Sequence, residues 1–187
     1  MTIGGVYATW NYSRNVVDSK QASATVVVTG TQSSTKGTIS ITSAPKRVVI
    51  DDKDGDLKAE LFFGDISSDS QPVNCDETGL VSVKFEPASI GADADVVEHG
   101  IKMQWTLTAS SLGAFDIDGD GNNDDIFNIK TATGVFNSGN ACKTATLKLV
   151  DCIELNGDIT LGTYAKYQAF ELAISTITFT LTISEVV

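Results

Sequence analysis

Histidine occurs once in the 187 residues, at His99. A single imidazole excludes the HExxH zinc helix and every metal site that needs two or more histidines. No G-x-S-x-G turn and no Walker-type glycine loop is present, so neither a hydrolase nucleophile elbow nor a phosphate cradle is encoded. His99 stands between Glu98 and Gly100 and reads as a surface loop residue. Cysteine is also scarce. Cys75, Cys142 and Cys152 make an odd count with no CxxC spacing, which disfavours zinc and prevents complete pairing within one chain. Either Cys142 bridges Cys152 across adjacent strands and leaves Cys75 alone, or all three are buried thiols acting as small apolar groups.

Positive charge is short as well. Thirteen Lys and Arg face 24 Asp and Glu, giving a net charge of −11 and a pI near 4.3. That balance argues against nucleic acid and against an anionic membrane surface as partners. No run of eighteen apolar residues occurs, so no membrane span is expected. Carboxylates are too abundant for their presence alone to nominate a glycosidase pair, and the chain is read as a non-enzyme.

What is present is alternation. Hydrophobic residues make up 42% of the chain and charged residues 20%, the remaining polarity being rich in Thr, Ser and Asn. This is the composition of strands with hydroxyl-rich outer faces. Period-two patterns predict strands over Ile3–Ser13, Ala24–Thr29, Gly37–Thr42, Lys46–Ile50 and around Leu57, Ala59, Leu61 and Phe63. Ala24–Thr29 and Gly37–Thr42 read as a hairpin, and residues 65–79 as a long surface loop carrying Cys75. Further strands are expected at Val81–Phe85, Ile101–Leu107, Ile126–Lys130, Ala145–Val150, Ile153–Leu155 and Thr176–Ile183. A short helix is expected around Ala88–Val97, and Tyr164–Ile174 fits either a strand or a short helix. The fold class is all-β: an antiparallel β-sandwich, a jelly roll in its fullest form, with residues 1–13 as a separable N-terminal strand and 14–187 as the sandwich domain.

The stretch most specific in its chemistry is Phe115–Phe127, FDIDGDGNNDDIF. It sets aspartates at 116, 118, 120, 124 and 125. Like charges so close repel, and a compact turn of them is stabilised by a cation. Asp116, Asp118 and Asp120 alternate, and Gly121 stands where a calcium loop turns sharply. Asn122 offers a backbone carbonyl and Asp124 a further carboxylate. Ca²⁺ takes six to eight oxygen ligands at about 2.3–2.6 Å, a set that these groups and water would complete. Asp125 is left to cap the strand that follows. Phe127 occupies the place of the acid that closes an EF-hand, so the loop resembles the calcium loops inserted between strands of extracellular β proteins. Asp52, Asp54 and Asp56 alternate too, but there the glycine precedes the third acid, and a hairpin turn is the better reading.

The opening Gly4–Tyr12, within GGVYATWNYS, resembles the segment that begins the mature chain in the camelysin/TasA group of secreted fibre proteins. The resemblance implies a jelly-roll subunit, exported and freed of its signal peptide, that polymerises by lending its N-terminal strand to the next subunit. It brings no protease site, because this chain has no zinc-ligand set. The expected function is therefore a structural subunit of an extracellular filament, stabilised by calcium and self-associating through its N-terminus. The alternatives are a monomeric calcium-bound adhesin or carbohydrate-binding module, with Trp10, Trp105, Tyr164 or Tyr167 stacking on sugar, and a viral jelly-roll coat protein. Trp10 and Trp105 fall in alternating patterns and read as core.

Overall fold

Twelve strands and two α-helices are described in a computed structural model that covers residues 23–30, 36–51, 56, 58–66 and 72–187. The strands are β1 (Ser23–Gly30), β2 (Gly37–Ser43), β3 (Arg47–Asp51), β4 (Glu60–Ile66), β5 (Pro72–Asp76), β6 (Leu80–Pro87), β7 (Met103–Ala109), β8 (Phe127–Ile129), β9 (Thr133–Val135), β10 (Thr144–Lys148), β11 (Ile153–Leu155) and β12 (Thr178–Glu185). Helix α1 (Ala94–His99) precedes β7, and α2 (Tyr164–Ser175) precedes β12. The predicted N-terminal strand, with Trp10, lies outside the described residues.

A seven-stranded sheet runs in the order β5-β4-β3-β1-β12-β7-β9, a three-stranded sheet in the order β10-β6-β2, and β11 pairs with β8. The fold is all-β, as the alternation predicted. The described pairs are antiparallel except one, β1 with β12, whose parallel register runs from Thr25 opposite Thr178 to Gly30 opposite Ile183. The strand orders establish the sheets without establishing a jelly roll.

Alternation decides which face is buried. In β7, Met103, Trp105 and Leu107 are buried while Gln104, Thr106 and Thr108 are exposed. In β12, Phe179, Leu181 and Ile183 point inward and the threonines between them outward. Val81, Val83 and Phe85 of β6 and Ile39 of β2 join the same contiguous core from the smaller sheet. Burying a side chain of this size contributes about 1.5–3 kcal/mol, so the core rests on many such terms.

Four expectations are corrected. First, β1 and β2 do not form a hairpin. β1 pairs with β3 and β12 in the large sheet, whereas β2 pairs with β6 in the small one. Second, Cys75 sits not in a loop but in β5, a sheet-edge strand whose first residue is Pro72, a position where proline withholds no needed ladder bond. Third, the first helix begins at Ala94, six residues later than expected, because Asp93 caps it by accepting from Asp95 N–H at 3.1 Å. Fourth, around β4 only Phe63 of the expected inward set enters the core. Leu61 and Ala59 are partly buried against it, and Leu57 lies outside the described residues. Phe62, paired in register with Val49, is buried on the opposite face.

The ambiguous segment is a helix. Thr163 caps α2 by accepting from Lys166 N–H at 3.2 Å, and Tyr167, Phe170 and Ile174 are buried at helical spacing.

Candidate metal centre

The acidic turn lies in the connection between β7 and β8. Its ends are tied by a reciprocal pair of backbone hydrogen bonds: Phe115 N–H donates to the Asp124 carbonyl at 3.0 Å, and Asp124 N–H to the Phe115 carbonyl at 2.8 Å. The flanking aromatics anchor it in the core. Phe115 meets Phe170 of α2 edge-on, with ring centroids 5.3 Å apart, and Phe127 meets Phe179 of β12 in the same way at 5.2 Å. Ile126 is fully buried between these roots, and Ile117 packs partly against the core. The turn is thus a polar projection on a rigid apolar base.

Within it, each carboxylate organises the backbone that follows. Asp116 accepts from Gly119 N–H through Oδ1 at 2.7 Å and from Gly121 N–H through Oδ2 at 3.2 Å. Asp118 accepts from Asp120 N–H at 3.1 Å, and Asp120 from Asn122 N–H at 2.7 Å. Asp and Asn close turns of this kind on their own following backbone. Gly119 and Gly121 have φ of 83° and 90°, the left-handed region that a Cβ would strain. One carboxylate oxygen each from Asp116, Asp118 and Asp120 comes within 4.8 Å of the others. Asp116 is half-buried and the other two are exposed, so the group opens to solvent on one side.

Asn122 also acts on the turn through its side chain. Its side-chain amide donates to Asp120 Oδ2 at 3.0 Å, and that bond, with the one from its backbone N–H, lowers the Asp120 pKa below the ordinary carboxylate value. Asn122 therefore favours the ionised form of Asp120, the form a carboxylate needs to hold a cation. The Asp124 carboxylate is not among the three that converge. The residue serves the turn through its backbone. Asp125 accepts, through its carbonyl, from Asn156 Nδ2 at 3.0 Å. The alternation of Asp116, Asp118 and Asp120 was legible in sequence. The contribution of Asn156, thirty-one residues away, carried no local signal.

Elsewhere, Asp56 caps a turn by accepting from Lys58 N–H at 2.8 Å, in keeping with a hairpin between β3 and β4, while Asp52 and Asp54 lie outside the described residues. His99 is half exposed beside Asp95 and Glu98. Trp105 and Tyr167 are buried, which removes both from any sugar-stacking surface. No disulfide joins the three cysteines. Cys142 and Cys152 are buried and Cys75 is half-buried. Among the described residues no helix is long and apolar enough to cross a membrane. Comparisons with protein families, with curated proteins and with solved structures find no match to this chain.

Proposed function

We propose that this protein is a non-enzymatic structural subunit of an extracellular filament, stabilised by calcium in the Asp116–Asp124 turn. The observation that carries the calcium reading is the convergence of Asp116, Asp118 and Asp120 within 4.8 Å on a turn rooted in the core by two aromatic pairs. Carboxylate oxygens alone, with no nitrogen or sulfur donor, suit a hard cation of the calcium type. The turn's amides already orient Asp116, so little ordering remains for the ion to impose. Assembly by strand donation rests on the alternation of the N-terminal segment and on the edge of the small sheet. Among the described strands, β2 pairs only with β6.

The test is thermal unfolding with calcium and with chelator. An ion at a hundredfold excess over its Kd adds about 2.7 kcal/mol, which for a chain of this length raises Tm by about 5–10 °C. Asp118→Ala should abolish that difference while leaving the chelated melting curve in place. Identical wild-type curves in calcium and in chelator would remove calcium from the reading. Electron microscopy of concentrated protein tests the filament separately.

A further inference from the structure

One residue ties the C-terminal shoulder of the acidic turn to the rest of the molecule by its side chain. Asn156, in the turn after β11, donates from Nδ2 to the Asp125 carbonyl at 3.0 Å, and its backbone N–H donates to the Ile126 carbonyl at 2.8 Å. Asn156 and Gly157 are both exposed. Gly157 has φ +89° and open space around the place a Cβ would take. Asn156–Gly157 is also the one Asn–Gly dipeptide in the whole chain. We propose that this dipeptide is a site of spontaneous covalent modification, the deamidation of Asn156, and that the reaction breaks the side-chain tie between the acidic turn and the turn after β11.

The chemistry needs only solvent. The deprotonated backbone nitrogen of Gly157 attacks Cγ of Asn156. An N–C bond closes a five-membered succinimide, the Cγ–Nδ2 bond breaks, and ammonia leaves. Water then adds to either imide carbonyl and opens the ring to aspartate or isoaspartate, with no change of oxidation state. Glycine exposes its nitrogen because it has no side chain to shield it. Asn122, Asn123, Asn128, Asn137 and Asn140 are each followed by a residue that carries a Cβ. Gly157 N–H is held by the Leu155 carbonyl at 3.1 Å across a three-residue closure in an exposed turn. Local opening, without unfolding, releases it.

The consequence follows from donor inventory. The amide of Asn156 is a donor, whereas the ionised carboxylate that replaces it only accepts. It would face the Asp125 carbonyl, so an attractive contact becomes a repulsive one. A new negative charge also stands two residues from Asp158 and, across the lost hydrogen bond, beside Asp125.

The experiment keeps full-length protein in chelator, so its outcome is independent of any ion. Protein is aged at mildly alkaline pH, then peptide-mapped with isoaspartate detection, beside Asn156→Gln, whose ring closure would be six-membered and slower. Hydrogen exchange is followed at the Asp124 amide in fresh protein, aged protein and Asn156→Asp. The proposal expects Asn156 to convert several-fold faster than Asn122 or Asn123, Asn156→Gln to resist, and exchange at Asp124 to quicken in both aged protein and Asn156→Asp. Conversion of Asn156 no faster than that of Asn122 or Asn123 overturns the modification site. Conversion that leaves exchange at Asp124 unchanged overturns the untying.

Discussion

Asp76 shows how much one exposed carboxylate can organise. Its Oδ1 accepts from Thr78 N–H, Thr78 Oγ1 and Gly79 N–H, each at 2.7 Å, at the turn from β5 into β6. The Thr78 hydroxyl is the largest influence, with burial opposing it and the two backbone amides adding to it, and together they hold the pKa below its ordinary 3.8. A carboxyl whose pKa falls on folding adds stability once it is ionised in both states. That addition is full above the ordinary value and is lost as pH drops through the lowered one. Asp76→Asn should therefore flatten part of the acid limb of stability as pH falls below the ordinary carboxylate value, measured by denaturant unfolding. The cysteines give a second residue-scale prediction. Burial pushes the Cys152 thiol up to about 11, with Asp151 adding and Lys130 opposing, and burial likewise raises Cys142 against a softening bond from Asn137. The thiolate is the nucleophile, so Cys75 should react first with a thiol reagent in native protein. Cys142 and Cys152 should appear only on unfolding. Native labelling of Cys152 ahead of Cys75 would contradict the buried placement.

At the scale of elements, the sequence was read well wherever one face of a strand is buried and poorly wherever pairing is non-local. Ile101–Leu107 and Thr176–Ile183 were legible because Trp105, Leu107, Phe179 and Leu181 alternate with threonines. Nothing in that alternation states that β12 lies between β1 and β7, or that β1 pairs with it in parallel. Period two fixes the face and not the neighbour. The acidic turn was legible as a candidate because its ligand types are local. Its roots were not, since Phe115 and Phe170 are far apart in sequence. Those roots set a hierarchy. Phe115→Ala removes a ring buried against α2 and should cost about 3–5 kcal/mol. Thr163→Ala removes only the cap of the same helix and should cost about 1 kcal/mol. Urea unfolding of both variants checks the order, and equal losses would deny the aromatic root its anchoring role.

For the whole molecule the governing facts are charge and edges. A net charge of −11 keeps copies apart at low ionic strength, so any assembly must work through directed contacts. Sheet edges offer such contacts, because an edge presents unpaired main-chain groups to an incoming strand. Among the described strands the edges are β5 and β9 of the large sheet, β10 and β2 of the three-stranded one, and both strands of the β11–β8 pair. β2 is the longest of these, at seven residues, while β9 has three. Its apolar Ile39 and Ile41 alternate with Thr38, Ser40 and Thr42, a pattern that accepts a further antiparallel or parallel neighbour without burying charge. In the sequence, Val6, Ala8, Trp10 and Tyr12 alternate in the pattern that the proposed donor strand needs for a matching apolar face. In the proposed assembly each subunit gives one strand and receives one. Such a contact is heterologous, does not close on itself, and propagates as a filament. Deleting Met1–Tyr12 should leave a folded monomer that no longer polymerises, keeps its calcium-dependent melting shift, and takes up a peptide of the deleted sequence. A charged substitution in the middle of the edge, Ser40→Lys, should slow assembly of otherwise intact protein, since a lysine on an edge strand opposes the addition of a further strand. Sedimentation and electron microscopy read both variants. Full-length protein that stays monomeric at high concentration with calcium, or a truncated chain that is simply unfolded, would end the strand-donation reading.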